Sequence, residues 1–134
     1  MVTYAERPWK KLYDSGVSDK LDYPQYTLPD FLRERSRKAP NNTALITSAN
    51  LPLFGRMANN TTYAELDQLS DALATGLISM GLKLGDRVAI IAPNSVAFAI
   101  SFYGILKAGG VVAATNPTYP EDKMAYQIND CDAE

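Results

Sequence analysis

Apolar residues cluster in the stretch from Gly85 to Pro120, where two short runs flank a longer one. The runs Arg87–Ala92 and Val111–Thr115 are typical of strands covered on both faces. Between them, Val96–Lys107 is apolar nearly all the way round, which predicts a buried helix. Strand, helix and strand in about thirty residues predict a parallel βαβ unit with a right-handed crossover.

Local signals set the ends of this helix. After Pro93, either Asn94 or Ser95 can cap it by accepting a hydrogen bond from a free backbone N–H. Gly109 and Gly110 supply the positive-φ stop. The predicted fold class is therefore α/β, with a partly parallel sheet and flanking helices.

Two further helices are predicted upstream. Thr27 can cap a helix over Leu28–Lys38, with Pro29 in its first turn. Thr62 and Glu65 have the spacing of a capping box. That box opens a helix over residues 63–80, whose apolar positions recur every three or four residues: Leu66, Leu69, Leu73, Leu77 and Met80. Gly81 ends this helix.

The remaining segments are read from composition. Residues 1–26 are polar and aromatic without a period and predict an extended N-terminal arm, which either lies across the domain surface or reaches a partner. Thr43–Ser48 predicts a strand, and Ala49–Asn60 a loop or a hairpin. Pro120 is placed as the first residue of a last helix that runs to Asn129. No strand follows, so residues 27–134 are expected to be an incomplete α/β subdomain.

Composition excludes several classes of function. The chain has 134 residues, a net charge of −2 and no histidine. The charge gives no reason to expect nucleic acid binding, and the missing histidines exclude catalysis by Ser-His-Asp or Cys-His and histidine metal sites. A single cysteine, Cys131, excludes an intrachain disulfide and fits a reducing, cytoplasmic compartment. A membrane span over 96–114 is less consistent with the sequence than a buried helix followed by a strand.

Four features of the sequence are candidates for binding or catalysis. Gly76–Gly81 has P-loop spacing, but Leu82 replaces the lysine and the segment closes a helix. Asn94 and Asn116 follow the two strands at the carboxyl edge, where open α/β sheets hold ligands; the preferred reading is a helix cap and a turn. Asp86-Arg87 could be a catalytic pair, although a turn salt bridge is preferred. The basic end of the first helix could contact phosphate or membrane, although a solvated face is preferred.

A set of short motifs occurs in a fixed order along the chain. They are Thr62-Tyr63-x-Glu65-Leu66, Gly85-Asp86-Arg87-Val88-Ala89, Pro93-Asn94-Ser95, Gly104-x-x-Lys107-Ala108-Gly109 and Asn116-Pro117-x-Tyr119. In this order and spacing the chain resembles the N-terminal segment of the adenylate-forming enzymes, in particular the long-chain fatty acid–CoA ligases. The resemblance covers essentially the whole chain and implies the N-terminal part of their large domain.

The resemblance also implies an activity. In that family a fatty acid and ATP give an acyl-adenylate, and the CoA thiol then takes the acyl group, with Mg²⁺ neutralising phosphate charge. The family's phosphate loop, adenine motif, ribose-binding aspartate and catalytic lysine have no counterpart here and would lie beyond Glu134. The resemblance therefore assigns no catalytic, cofactor-binding or metal-binding residue to this chain. We expect a non-catalytic fragment that is homo-oligomeric, with no transmembrane segment, and cytoplasmic or peripheral at the membrane. The alternative is a stand-alone interaction or lipid-binding module.

Overall fold

The computed structural model describes residues 7–18, 20–51 and 55–133, and only the backbone at 49–51, 55 and 56. Among these residues the sheets are an antiparallel pair and a parallel pair, so the predicted α/β class is confirmed. The elements in chain order are a 3-10 helix (Pro8–Leu12), α1 (Leu28–Lys38), β1 (Thr43–Leu51), β2 (Gly55–Thr62), α2 (Tyr63–Ser79), β3 (Arg87–Ile91), α3 (Val96–Lys107), β4 (Val111–Thr115) and α4 (Glu121–Asp130).

The βαβ unit forms as predicted. Strands β3 and β4 pair in parallel, from Arg87 opposite Val111 to Ile91 opposite Thr115. Helix α3 packs against both strands, and the strand pair is extended at its start by a bond from the Gly85 N–H to the Gly109 carbonyl. Both strands therefore end at the same edge, next to the segments that carry Asn94 and Asn116.

The predicted burial of this unit is only partly observed. Ile90 and Ile105 are buried, whereas Ile91 and Val111 remain 49% and 48% exposed. Most other side chains of α3 are half-buried rather than enclosed. The prediction of strands covered on both faces is wrong for the described residues, because α3 packs against both strands and still leaves these side chains in solvent.

Strands β1 and β2 form an antiparallel hairpin, with Thr43 opposite Thr62 and Leu51 opposite Gly55. Of the two alternatives for Ala49–Asn60, the hairpin is the one observed, and β1 continues beyond the predicted end at Ser48. Residues 52–54 of that segment lie outside the described residues. Strand β2 ends at Thr62 and α2 begins at the next residue, so no loop separates the hairpin from the helix.

The free backbone N–H groups at the start of α2 donate to both side-chain and backbone acceptors. Thr62 Oγ1 accepts from the Glu65 N–H at 3.2 Å, and Glu65 Oε2 accepts from the Thr62 N–H at 2.8 Å, which confirms the predicted capping box. The N–H groups of Tyr63 and Ala64 donate to carbonyls in the turn after α1, those of Asn42 and Pro40. The first turn of α2 thereby has its free donors satisfied and is fixed to the end of α1.

The remaining boundaries differ from the predictions by about one residue, within the usual uncertainty of helix ends. Helix α2 ends at Ser79, and Gly81 follows with a φ of 106°. Helix α4 begins at Glu121, because Pro120 has an extended ψ of 152° and is the N-cap. The predicted arm contains the 3-10 helix, and its residues 1–6 and 19 lie outside the described chain, as does Glu134. The division at residue 26 stays a prediction.

The cap of α1 makes its stability depend on pH. The Thr27 hydroxyl and backbone N–H both donate to Asp30 Oδ2, at 2.6 and 2.9 Å. The side-chain hydrogen bond is the main cause that holds the pKa of Asp30 below its ordinary 3.8. A carboxyl with a lowered pKa stabilises the folded chain above its unfolded pKa, and that contribution is lost as pH falls through the folded pKa.

We therefore expect the stability difference between the wild type and Asp30→Asn to be constant near neutral pH. It should shrink as the pH falls past 3.8 and through the lowered pKa of Asp30, because the carboxyl is then protonated in both the folded and the unfolded chain. Urea unfolding of both proteins across this range measures the difference. Thr27→Val removes the main donor and should reduce the pH-dependent part. A difference that does not change as the pH falls from neutral through the acid range would contradict this account of Asp30.

Candidate functional site

The carboxyl edge of β3 leads into the start of α3. Ser95 is the N-cap of this helix, and its Oγ accepts from the Phe98 N–H at 3.1 Å. The preferred prediction that Asn94 caps α3 is wrong, because Asn94 precedes the capping position by one residue and Ser95 occupies it. The exposed Asn94 side chain is therefore left without a role in the helix.

The carboxyl edge of β4 leads into a turn built by Asn116. Its Oδ1 accepts from the Thr118 N–H at 3.0 Å and from the Thr118 hydroxyl at 2.9 Å. This is the turn geometry expected of asparagine, whose side chain replaces a backbone acceptor. The preferred prediction for Asn116 is confirmed. Its Nδ2 keeps two N–H donors that this turn does not use.

The two segments meet around a cleft of about 390 Å³. Asn94 and Asn116 both line it, as the shared edge of parallel strands predicts, and Phe98 and Pro117 supply apolar walls. Among the residues that the structure describes, no carboxylate, lysine or arginine lines the cleft. The cleft can therefore contact and hydrogen-bond a bound group, whereas proton transfer would need residues other than those that line it.

The turn before β3 differs from its prediction. Asp86 Oδ2 accepts from the Lys83 N–H at 2.7 Å and closes the turn that leads into the strand. Within the described part of the chain Asp86 and Arg87 form no ion pair, so the preferred turn salt bridge is wrong. The carboxylate is engaged by the nearby backbone instead. The Gly76–Gly81 segment lies at the C-terminal end of α2, as predicted.

The sequence predictions missed a charge cluster between α2 and α3. Lys107 has a side chain only 1% exposed, and its Nζ contacts Asp67 Oδ1 at 2.5 Å and Asp71 Oδ1 at 2.8 Å. The same Nζ donates to the Asp67 carbonyl at 2.9 Å. All three donors of the ammonium group are thus satisfied. A signal was present, because carboxylates four residues apart share one helix face and repel each other unless a cation lies between them.

The described residues do not fit a triphosphate and its metal. The strand-to-helix connections at 92–95 and 116–120 contain no glycine, so they lack the close-approach loop that grips phosphate. Across residues 7–18, 20–51 and 55–133, no group of three or more His, Cys, Asp and Glu side chains could hold a metal ion. Within the same ranges no helix has the length and apolar character needed to cross a bilayer.

Comparison with known proteins places these features in a family. The profile of the AMP-binding enzymes matches residues 32–134. A long-chain-fatty-acid–CoA ligase of Bacillus subtilis is 35% identical over 128 residues, 94% of this chain and 21% of the ligase. Tyrocidine synthase 3 of Brevibacillus parabrevis is 35% identical over 134 residues, 99% of this chain and 2% of the synthase. The chain belongs to the AMP-binding enzyme family.

Solved structures agree with this assignment. The N-terminal subdomain of Klebsiella oxytoca NpsA superposes with a TM-score of 0.70 at 29% identity, over 80% of this chain and 26% of that one. The fatty acyl-adenylate ligase of L. pneumophila, solved with acyl adenylate and pyrophosphate, gives a TM-score of 0.70 at 26% identity, over 80% and 19%. The chain thus spans about a fifth of the fatty acid ligases it matches and corresponds to their N-terminal part.

Proposed function

We propose that the chain is the N-terminal part of a long-chain fatty acid–CoA ligase. The whole enzyme activates a fatty acid with ATP to the acyl-adenylate and then transfers the acyl group to CoA. The observation that carries the proposal is the match to the Bacillus subtilis ligase, at 35% identity over 94% of this chain. The chain's resemblance to the N-terminal segment of such ligases, motif by motif, supports the same substrate class.

In this proposal the chain supplies structure rather than chemistry. ATP, CoA and Mg²⁺ belong to the whole enzyme, and the described residues form no cradle for them. The hairpin, the βαβ unit and helix α2 contribute to the sheet and to the wall of the site. The cleft at Asn94 and Asn116 can hydrogen-bond a bound group, and the described residues that line it include no carboxylate, lysine or arginine. The 134-residue chain alone is inactive. We place the enzyme in the cytoplasm and expect no nucleic acid partner.

The substrate class is tested by the exchange of pyrophosphate into ATP, which reports adenylate formation. The complete product of the encoding reading frame should exchange pyrophosphate with palmitate and not with proline, phenylalanine or leucine. The purified 134-residue chain should show no exchange with any acid. Transfer to CoA is then followed as acyl-CoA formation with the accepted acid. Acyl-adenylate formed by the pure 134-residue chain would contradict its proposed inactivity.

A second candidate is amino acid activation. Tyrocidine synthase 3 matches this chain as closely in identity, at 35% over 99% of its length. Exchange that depends on an amino acid and not on palmitate would favour this class and overturn the fatty acid proposal. The stand-alone module is distinguished by the reading frame: a natural stop codon after Glu134 favours it, whereas several hundred further codons favour the ligase.

We also propose that the isolated chain forms homo-oligomers. Exposed apolar side chains lie on both strands of the parallel pair, with Ile91 49% and Val111 48% exposed. Neither strand carries a proline, and β4 carries no charge, so these edges lack the usual protection against pairing with another chain. Pairing along β3 or β4 would extend the sheet, and packing of its exposed face against a second copy would cover Ile91 and Val111.

A further inference from the structure

Asn94 combines an exposed side chain with an available backbone N–H on the next residue. Within the described part of the chain, its side-chain amide enters no hydrogen bond. Ser95 follows in an extended conformation, and its Oγ and carbonyl accept from the N–H groups of Phe98 and Ala99. The N–H of Ser95 itself is not among the turn, loop and cap donors of the described residues. A free amide therefore lies next to a free backbone nitrogen.

These two groups can react with each other. When hydroxide takes the proton of the Ser95 N–H, the nitrogen can attack Cγ of Asn94. A C–N bond forms to give a succinimide ring, the bond from Cγ to the side-chain nitrogen breaks, and ammonia leaves. Water then opens the ring at either of its carbonyls and leaves aspartate or isoaspartate. The net change consumes one water, releases one ammonia and transfers no electrons, and a small following residue such as serine hinders ring closure little.

The fold hinders the same reaction at the other asparagines. Asn116 precedes Pro117, which has no N–H, and its Oδ1 accepts from Thr118. Asn129 lies in α4, where the backbone N–H groups belong to the helix. The remaining asparagines lie in the hydrogen-bonded turn before β1 or in the paired strands of the hairpin: Asn41, Asn42, Asn50, Asn59 and Asn60. Ring closure there requires backbone rotations that these hydrogen bonds restrict.

We propose that the fold selects Asn94 as a site of spontaneous deamidation, with water as the only reagent. Asn94 lines the cleft of about 390 Å³ and also a second cleft of about 510 Å³ between β1 and the start of α3. No charged side chain lies among the described residues that line either cleft, so the new carboxylate makes both of them acidic. Isoaspartate also adds a carbon atom to the main chain between β3 and α3.

Peptide mapping of the aged 134-residue chain tests the proposal. Trypsin cuts after Arg87 and Lys107, and the sequence between these cuts contains Asn94 as its sole asparagine. During incubation at mildly alkaline pH this peptide should shift to the mass of its aspartate form and separate into an aspartyl and an isoaspartyl species. The shift should appear there before it appears in any other peptide that contains asparagine. Asn94→Gln should abolish it, because glutamine forms the corresponding larger ring far more slowly, and should leave the other peptides unchanged.

Incubation of the same chain in guanidinium chloride is the structural control. Unfolding frees the other asparagines, so the lead of Asn94 over Asn42 and Asn60, which each precede threonine, should narrow. An equal lead in the unfolded chain would show that the neighbouring residue and not the fold sets the rate, and would overturn the proposal. No shift of the Asn94 peptide in the folded chain, or an earlier shift at another asparagine, would also overturn it.

Asn94→Asp supplies the aspartyl product directly. Its carboxylate lies just before the first turn of α3, where the helix dipole stabilises negative charge. The variant should therefore unfold at a higher urea concentration than the wild type, and a lower midpoint would contradict this position of the new charge. Neither measurement needs ATP or an acid substrate, so both are independent of the exchange assay.

Discussion

Replacing Lys107 with alanine is expected to lower the free energy of unfolding by about 3 kcal/mol. The lysine side chain is 1% exposed and holds Asp67 and Asp71 of α2 against α3. Removing the cation leaves the carboxylate of Asp67, which is only 18% exposed, close to that of Asp71 without compensation. Urea unfolding at neutral pH measures the loss.

The matched control is Lys83→Ala, because Lys83 is an exposed lysine outside this interface. Its effect should stay within about 0.5 kcal/mol. Adding Asp67→Asn and Asp71→Asn to Lys107→Met should recover part of the loss, since removing every charge of a buried cluster costs less than removing one side of it. If Lys107→Ala unfolds like the Lys83 control, the cluster does not hold the two helices together.

The second large effect is expected at Gly104, where α3 lies close against Leu73 of α2. A Cβ placed there would lie 2.8 Å from Leu73 Cδ2 and 3.0 Å from both Cβ and Cγ of the same leucine. Alanine gains about 1 kcal/mol of helix propensity, but crowding of this kind costs about 1–3 kcal/mol. Gly104→Ala should therefore destabilise modestly, and Gly104→Val should cost several kcal/mol more, because its branched side chain must enter the same contact.

Gly76 provides the opposite control within α2. Apart from its chain neighbours and the backbone of its own helix, no atom of the described residues lies within 4 Å of a Cβ built at Gly76, so Gly76→Ala should stabilise the chain by about 1 kcal/mol. Leu73→Ala combined with Gly104→Ala should cost less than the sum of the single changes, because the contacts with Cδ2 and Cγ of Leu73 are removed and only the contact with its Cβ remains. Thermal or urea unfolding measures the stability of each of these variants relative to the wild type. Stabilisation by Gly104→Val would show that the two helices do not pack as described.

The sequence predicted those features whose cause is local. The capping box of Thr62 and Glu65 joins residues three positions apart, so its pattern is visible without knowledge of the fold. The apolar runs of β3 and β4 likewise predict their own pairing through the helix between them. Asn116 builds its turn with its own neighbour, Thr118, and was predicted for the same reason.

Features that depend on distant partners were not predicted. Lys107 and Asp67 are 40 residues apart, and a lysine at the end of an apolar helix is ordinarily assigned to the surface. The exposure of Ile91 and Val111 depends on what packs outside the strand pair. An apolar run indicates that a strand needs cover, and it does not say whether cover is present. The prediction of Asn94 rather than Ser95 as the cap of α3 failed for a different reason. Both residue types cap well, so residue type does not decide which of the two neighbours occupies the capping position.

The direct junction at Thr62 couples two parts of the molecule that have different geometry. Strand β2 passes into α2 without an intervening residue. If the hairpin pairing shifted by one position while the junction kept its place, the helix would start one residue earlier or later and would be turned by about 100° about its axis. Such a turn would carry Leu66 out of the interior and move Asp67 away from Lys107. Packing of the helix therefore favours one register of the β1–β2 hairpin, whose own polar residues are compatible with several registers.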